Sequence, residues 1–174
     1  MVRLHEFVDP EATGLCQGRR YRGSDLTPIE LPNHIPQEFE DWASVELSQL
    51  EQKGCIARWD LVAGTDESHH PKMCLPSGIE PKKPRLFWDG RWLNLMCRHS
   101  PFQIDGVGKG AQCVWQGAHQ VTLDHKSGFH NIPLHADSWT YIGFKWQETY
   151  YGWTVLCFGW CSSPFIYHLS LIHI

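Results

Sequence analysis

Thr122-Leu123-Asp124-His125-Lys126-Ser127-Gly128-Phe129-His130-Asn131-Ile132-Pro133 sets a carboxylate after a short apolar-polar alternation and before a Lys-Ser-Gly turn and an aromatic ring. A carboxylate at a strand end can hold a divalent cation, because Mg²⁺ takes oxygen ligands and is commonly bound by one or two carboxylates plus substrate phosphates. An Asp in such a place is also an ordinary turn former. A second group, residues 84–94, spaces Arg85, Asp89, Arg91 and Asn94 around Leu86-Phe87-Trp88. Arg carries a planar, permanently charged fork suited to phosphate, and can equally serve as a surface ion-pairing residue. A third, Val155-Leu156-Cys157-Phe158-Gly159-Trp160-Cys161-Ser162-Ser163-Pro164, offers Gly159, where another chain could come close to the backbone, and Pro164, which suits a helix start.

The elements that must position these groups can be read from apolar spacing. Pro36 suits a first-turn position, Phe39, Trp42, Ala43, Leu47 and Leu50 follow at helical intervals, and Gly54 supplies a stop. Residues 55–59 read as extended, and residues 62–81, with Gly64, Pro71, Pro76, Gly78 and Pro81, read mostly as loop. From Pro84 the pattern becomes β-rich. Strands are expected at 85–89 and 120–124, then a hairpin of 141–146 and 150–155 around Gln147-Glu148-Thr149, and a last helix from Pro164. Residues 1–35 show no apolar period and read as an irregular lead-in, which leaves 36–174 as the domain.

Composition narrows the classes. The 174 residues are 42% hydrophobic, enough for one ordinary core, and the nine Trp are read mostly as packing. No run of 18 apolar residues predicts a membrane span, and the first residues lack the apolar centre of a signal peptide. The expected setting is intracellular, with the seven scattered cysteines as thiols rather than a disulfide framework. The net charge of −4 hides an asymmetry: residues 1–81 hold 7 Lys/Arg against 14 Asp/Glu, residues 82–174 hold 8 against 5. Only the second part has the sign of a surface facing phosphates.

The segment around Asp124 resembles the first catalytic motif of retroelement reverse transcriptases, Leu-Asp-x-Lys-Ser-Gly-Tyr/Phe-His-x-Ile. Residues 84–94 are similar to the family's fingers motif with its Arg-Leu-Val-x-Asp-x-Arg-x-Leu-Asn core. The third stretch is similar to Leu-Pro-Phe-Gly-Leu-x-x-Ala/Ser-Pro, with Cys157 where the family has Pro. The aromatic strands near Tyr141 and Tyr150-Tyr151 resemble those of the DIRS group of elements, close to the LTR type. The resemblance covers about residues 38–168.

It implies an α+β fold, part of the fingers and palm, with an antiparallel palm sheet and helices. It implies that Asp124 binds the catalytic metals, Mg²⁺ or Mn²⁺, and that Arg85 grips the triphosphate of an incoming deoxynucleotide. Phe129 would lie under the sugar and exclude a 2′-hydroxyl, and Phe158 and Gly159 would lie beside the nucleotide. Asp89, Arg91, Asn94, Trp160 and Pro164 would shape the fingers and the path of an RNA or DNA template-primer. The family's second motif, with adjacent aspartates, does not occur in the sequence, and thumb and ribonuclease H regions are missing. The reading therefore expects an incomplete palm, a chain cut before its catalytic centre is complete, and no polymerase activity from the chain alone.

Three other readings compete. His69-His70, His130, His135, Cys157 and Cys161 are zinc-ligand types without the paired spacing of a structural zinc site. A non-catalytic nucleic-acid-binding remnant would instead use exposed Trp and Tyr beside Arg and Lys, with no need for a metal. A truncated product without function is the third.

Overall fold

The stripe Ala43, Leu47, Leu50 recurs at intervals of four and three, and in the computed structural model it winds into helix α1, Glu40–Gln52, with all three side chains buried. One 3₁₀ turn, Gln37–Phe39, leads into it after Pro36, and Glu40 and Asp41 lie at the positive end of its dipole. Its end is closed by two hydrogen bonds, Gly54 N–H to the Glu51 carbonyl and Cys55 N–H to the Leu50 carbonyl, both 2.9 Å. Gly54 supplies the left-handed φ of +69° that this cap requires.

The structure describes residues 1–8, 13–16, 19–22, 29–62, 70–98, 100–103, 106–112, 114–121 and 124–172. In chain order the strands are β1 (Thr13–Cys16), β2 (Arg19–Arg22), β3 (Ile29–Glu30), β4 (Ile56–Arg58), β5 (Met73–Cys74), β6 (Ser77–Ile79), β7 (Leu86–Trp88), β8 (Gly143–Trp146) and β9 (Thr149–Trp153). The further helices are α2 (Arg91–Asn94), α3 (Val107–Gln112), α4 (Ala136–Trp139) and α5 (Ser163–Ile172). None of the described helices is long and apolar enough to cross a membrane.

The main sheet has five strands in the order β3-β5-β8-β9-β4. β8 and β9 form the expected antiparallel hairpin, turning through Gln147 and Glu148, and β4 adds to β9 antiparallel. β5 joins β8 in parallel and β3 joins β5 in parallel, so the sheet is mixed rather than the antiparallel one expected. The reason lies in residues 71–79, which were expected to be loop but, apart from the exposed Lys72, are buried and carry β5 and β6. Prolines at 71 and 76 limit each strand to two or three residues, which is too short to leave an alternation in the sequence.

A second hairpin, β6 with β7, is tied to the main sheet by Trp88. Its side chain is fully buried, and its indole N–H donates to the Gly143 carbonyl at 3.0 Å. The core gathers Trp88, Phe144, Trp153, Leu156 and Trp160 between the two sheets, α1 and α5. Five of the nine Trp are buried, as packing requires, whereas Trp115 is 73% exposed.

Residues 1–8 are not a lead-in. Leu4 is fully buried, its N–H donates to the buried Ser138 hydroxyl at 2.9 Å, Val2 exchanges backbone hydrogen bonds with Pro133 and His135, and the Phe7 carbonyl accepts from Arg98. β3 then pairs at the edge of the main sheet, so position 35 marks no structural boundary. One leucine flanked by charged residues has no periodicity to read; it is buried because the surface formed by residues 97–98 and 133–138 accepts it. The expected strand at 120–124 is not formed at Gln120, Val121 or Asp124, and Val121 is 84% exposed; Thr122 and Leu123 lie outside the described residues.

Candidate functional site

A cleft of about 760 Å³ opens between α1, the β6–β7 hairpin and the 124–130 turn. Arg85 and Phe87 line it from the hairpin side, and Asp124, Lys126 and Gly128 from the turn. Trp153 and Phe158 line it too. Three of the sequence-selected residues, Asp124, Arg85 and Phe158, thus share one cavity. Asp124 and Arg85 are exposed, and among the described residues neither takes part in an ion pair or a side-chain hydrogen bond. A carboxylate and a guanidinium are therefore both left available to a ligand.

The turn after Asp124 is built by a left-handed Ser127 (φ 53°) followed by the 3₁₀ turn Gly128–Asn131. This sets Phe129 and His130 against other rings. Phe129 does not line the cleft; it packs beneath Phe158, with ring centroids 4.8 Å apart, and edge-on to Tyr167 of α5 at 5.4 Å. His125 bonds the Tyr167 hydroxyl at 2.7 Å through Nδ1, which anchors the turn to α5.

His130, which the sequence reading weighed only as a zinc-ligand type, lines the cleft between Trp153 at 5.6 Å and Phe158 at 6.2 Å. Its Nε2 is buried without a hydrogen-bond partner. Burial, and then the charge of Lys53, hold its pKa below the ordinary 6.5. The unfolded chain then binds more protons than the folded one below about pH 6.5, so stability from this group is complete above that value and falls as pH drops. His130→Gln is expected to flatten the acid side of the stability-versus-pH curve below about pH 6.5, measured by urea unfolding at each pH. An unchanged acid slope would show that His130 does not titrate with folding.

The loop carrying Phe158 is held from beneath by residues 88–94. The Trp88 N–H donates to the Phe158 carbonyl at 3.1 Å, the Asn94 side-chain N–H donates to the Gly159 carbonyl at 2.8 Å, and the Cys161 N–H donates to Asn94 Oδ1 at 2.8 Å. At the helix side the buried Ser163 hydroxyl donates to the Cys157 carbonyl at 2.9 Å. Cys157 itself is buried, and desolvation pushes its thiol well up. Gly159 has φ +112°, and a Cβ there would meet the Trp88 carbonyl oxygen at 1.6 Å, so only glycine fits.

Asp89 and Arg91 serve each other. Arg91 Nε donates to both Asp89 carboxylate oxygens, at 2.8 and 3.0 Å, and the Arg91 N–H adds a bond to Asp89 Oδ1. The Arg91 guanidinium holds the Asp89 carboxyl below its usual range against the opposing effect of burial. Trp160, expected beside a template, is 1% exposed, with its indole N–H toward Cys97 Sγ at 3.3 Å and Phe7 edge-on at 5.6 Å. A large apolar ring next to a glycine-permitted close approach is drawn into the core. Pro164 is exposed in the first turn of α5.

Asn94 therefore positions the loop with both ends of its amide. Asn94→Ala is expected to cost about 1–3 kcal/mol, at roughly 0.5–1.5 kcal/mol per hydrogen bond, with Asn94→Asp costing less because one acceptor remains. Urea denaturation of both variants checks this, and equal costs would mean that only the donor matters. Trp42, Glu46, Glu80 and Trp153 also line the cleft without having been singled out. No sequence signal separated them from core or surface residues of their own elements.

No family model matches the chain. It is 42% identical over 85 residues to a putative enzymatic polyprotein of cassava vein mosaic virus, covering 49% of this chain. It is 23% identical over 170 residues, 97% of this chain, to the Pro-Pol polyprotein of simian foamy virus type 1. The aligned part is 13% of either polyprotein's length. Among solved structures, the foamy viral protease-reverse transcriptase in complex with dsDNA matches with a TM-score of 0.65 at 19% identity, covering 84% of this chain and 29% of that one. A form called dRH, also with dsDNA, gives 0.66 at 18% identity, covering 95% and 26%. The fold is reverse-transcriptase-like. A complex of the same kind of protein with an RNA/DNA hybrid gives 0.60 at 17% identity, covering 84% and 19%. The reverse-transcriptase-like fold is mixed α and β, as expected.

Proposed function

We propose that this chain is the nucleotide- and template-binding part of a retroelement reverse transcriptase of the DIRS-like or LTR type. The observation that carries the reading is the cleft itself: the Asp of the Leu-Asp-His-Lys-Ser-Gly-Phe-His segment faces the same cavity as Arg85 and Phe158. Arg85 takes the triphosphate of a deoxynucleotide, and Phe158 lies against its base or sugar. Phe129, packed behind Phe158, sets how near that ring can approach the 2′-carbon. Asn94 with Asp89 and Arg91 fixes the loop and fingers along which an RNA or DNA template-primer would run.

The donor chemistry fits a hard divalent cation, Mg²⁺ or Mn²⁺: the Asp124 carboxylate is exposed and unpaired among the described residues. Such an ion would neutralise phosphate charge and activate the attacking oxygen. The described residues include no group of three metal-ligating side chains. One carboxylate cannot hold two metals about 3.5–4 Å apart for in-line transfer, so the chain alone binds and does not polymerise.

The test follows Trp fluorescence while a deoxynucleoside triphosphate is titrated with and without Mg²⁺, beside primer extension on an RNA template. The expected result is Mg²⁺-dependent binding, weakened at least tenfold by Arg85→Ala and by Asp124→Asn, with no extension. Binding indifferent to metal and to both substitutions would overturn the assignment. A completed polymerase carrying Phe129→Ala should incorporate ribonucleotides more readily than its parent.

A further inference from the structure

The ring of His130 leans on Trp153 at 5.6 Å and stands edge-on to Phe158 at 6.2 Å, at the border of the cleft. The backbone around it is fastened. The His130 N–H donates to the Ser127 carbonyl at 2.9 Å, the Leu156 N–H to the Ile132 carbonyl at 3.0 Å, and the Leu134 N–H to the Thr154 carbonyl at 2.8 Å. What can move here is the side chain. Its Nε2 is buried without a hydrogen-bond partner among the described residues, and so is the indole nitrogen of Trp153. A neutral imidazole fits such a place with its proton on Nδ1 and a bare lone pair on Nε2. A protonated ring does not, because a charged N–H buried without an acceptor is strongly unfavourable.

The surrounding charges favour one way out. Lys53, just past the end of α1, acts on the ring with the same sign as its own charge would have. β9 and the loop after it offer only the rings of Trp153 and Phe158 to the cleft. Carboxylates line the cleft itself: Glu46 of α1, Glu80 between β6 and β7, and Asp124 on the turn. Arg85, His125 and Lys126 line it as well. The open volume of about 760 Å³ leaves room for an imidazole to swing into it.

We propose that His130 is a pH-sensitive positioning residue for Phe158. With a neutral ring it fills the corner between Trp153 and Phe158; in mild acid the ring leaves that corner and turns its charged edge into the cleft. Phe158 then loses one of the rings packed against it and keeps its contact with Phe129 at 4.8 Å, so the wall of the cleft shifts while the fold is retained. The switch lies below the ordinary 6.5 of a histidine, since burial and then Lys53 both oppose protonation. The proposal concerns the shape of the cleft and stands whatever ligand the cleft takes.

The test follows the whole chain by NMR from about pH 8 to about pH 5. It reads the titration of the His130 ring and the cross-relaxation between that ring and those of Trp153 and Phe158. The His130 signals are identified as those lost in His130→Phe. The expected result is that the ring-to-ring contacts vanish with the same midpoint at which His130 titrates, while the dispersion of the backbone amides is kept. In His130→Phe, which retains a ring and cannot titrate, the Trp153 indole signal should stay in place over the same range. If that variant does not fold, the coincidence of the two midpoints in the unaltered chain decides the matter. Ring contacts that persist once His130 is protonated, a Trp153 shift that survives in His130→Phe, or collapse of all dispersed signals at that midpoint would each overturn the proposal.

Discussion

Gly159→Ala is expected to destabilise the chain by about 2–5 kcal/mol, combining a disfavoured positive φ with overpacking. The added Cβ would stand 1.6 Å from the Trp88 carbonyl oxygen, and Gly90, whose own Cβ position is filled by Trp88 and by the Gly159 carbonyl, leaves no room to retreat. Two backbone segments must separate, which would also break the bonds from Trp88 to the Phe158 carbonyl and from Asn94 to the Gly159 carbonyl. Urea unfolding measures the loss. A cost below about 1 kcal/mol, the typical size of an ordinary substitution, would mean that the contact is not as close as described.

The second large effect belongs to Trp88. Trp88→Ala should cost about 3–5 kcal/mol, the usual range for emptying a fully buried aromatic site. It would also leave the Gly143 carbonyl without its indole donor, so the β6–β7 hairpin would lose the hydrogen bond by which Trp88 ties it to the five-stranded sheet. Trp88→Phe keeps most of the volume and removes the donor, and should cost about 1–2 kcal/mol. Thermal melts of the pair separate packing from hydrogen bonding. Equal destabilisation by Ala and Phe would show that the indole N–H carries the link.

Both predictions rest on tertiary facts that the sequence did not display. What it did display was local. α1 was legible because its apolar period, acidic first turn and terminal glycine all agree, and the β8–β9 hairpin because its aromatic strands flank a short polar turn. β5 and β6 were hidden because two or three residues between prolines carry no period. In the site, Arg85, Asp124 and Phe158 were found through motif resemblance and do meet in one cleft. Residue type and order do not reveal which partner a side chain will meet. Trp160 was therefore placed at a surface it does not reach, and Asn94 was not seen as the residue that fixes the Phe158 loop. His130 sat inside a recognised string, yet its burial between Trp153 and Phe158 depends on strands formed later in the chain.

The hydrogen bond from Leu4 to Ser138 joins groups 134 positions apart. Contacts of that span slow folding, because a large loop must close before they form. On a ribosome the delay is longer still. At about 5–20 residues per second, Leu4 emerges roughly 7–27 s before its partner has been made. During that interval an apolar segment has no surface to bury itself in and is open to chaperones or to neighbouring chains. Residues 1–8 are thus fastened down only once residue 138 has been made, whereas α1 and its cap, whose hydrogen bonds are local, can form before that.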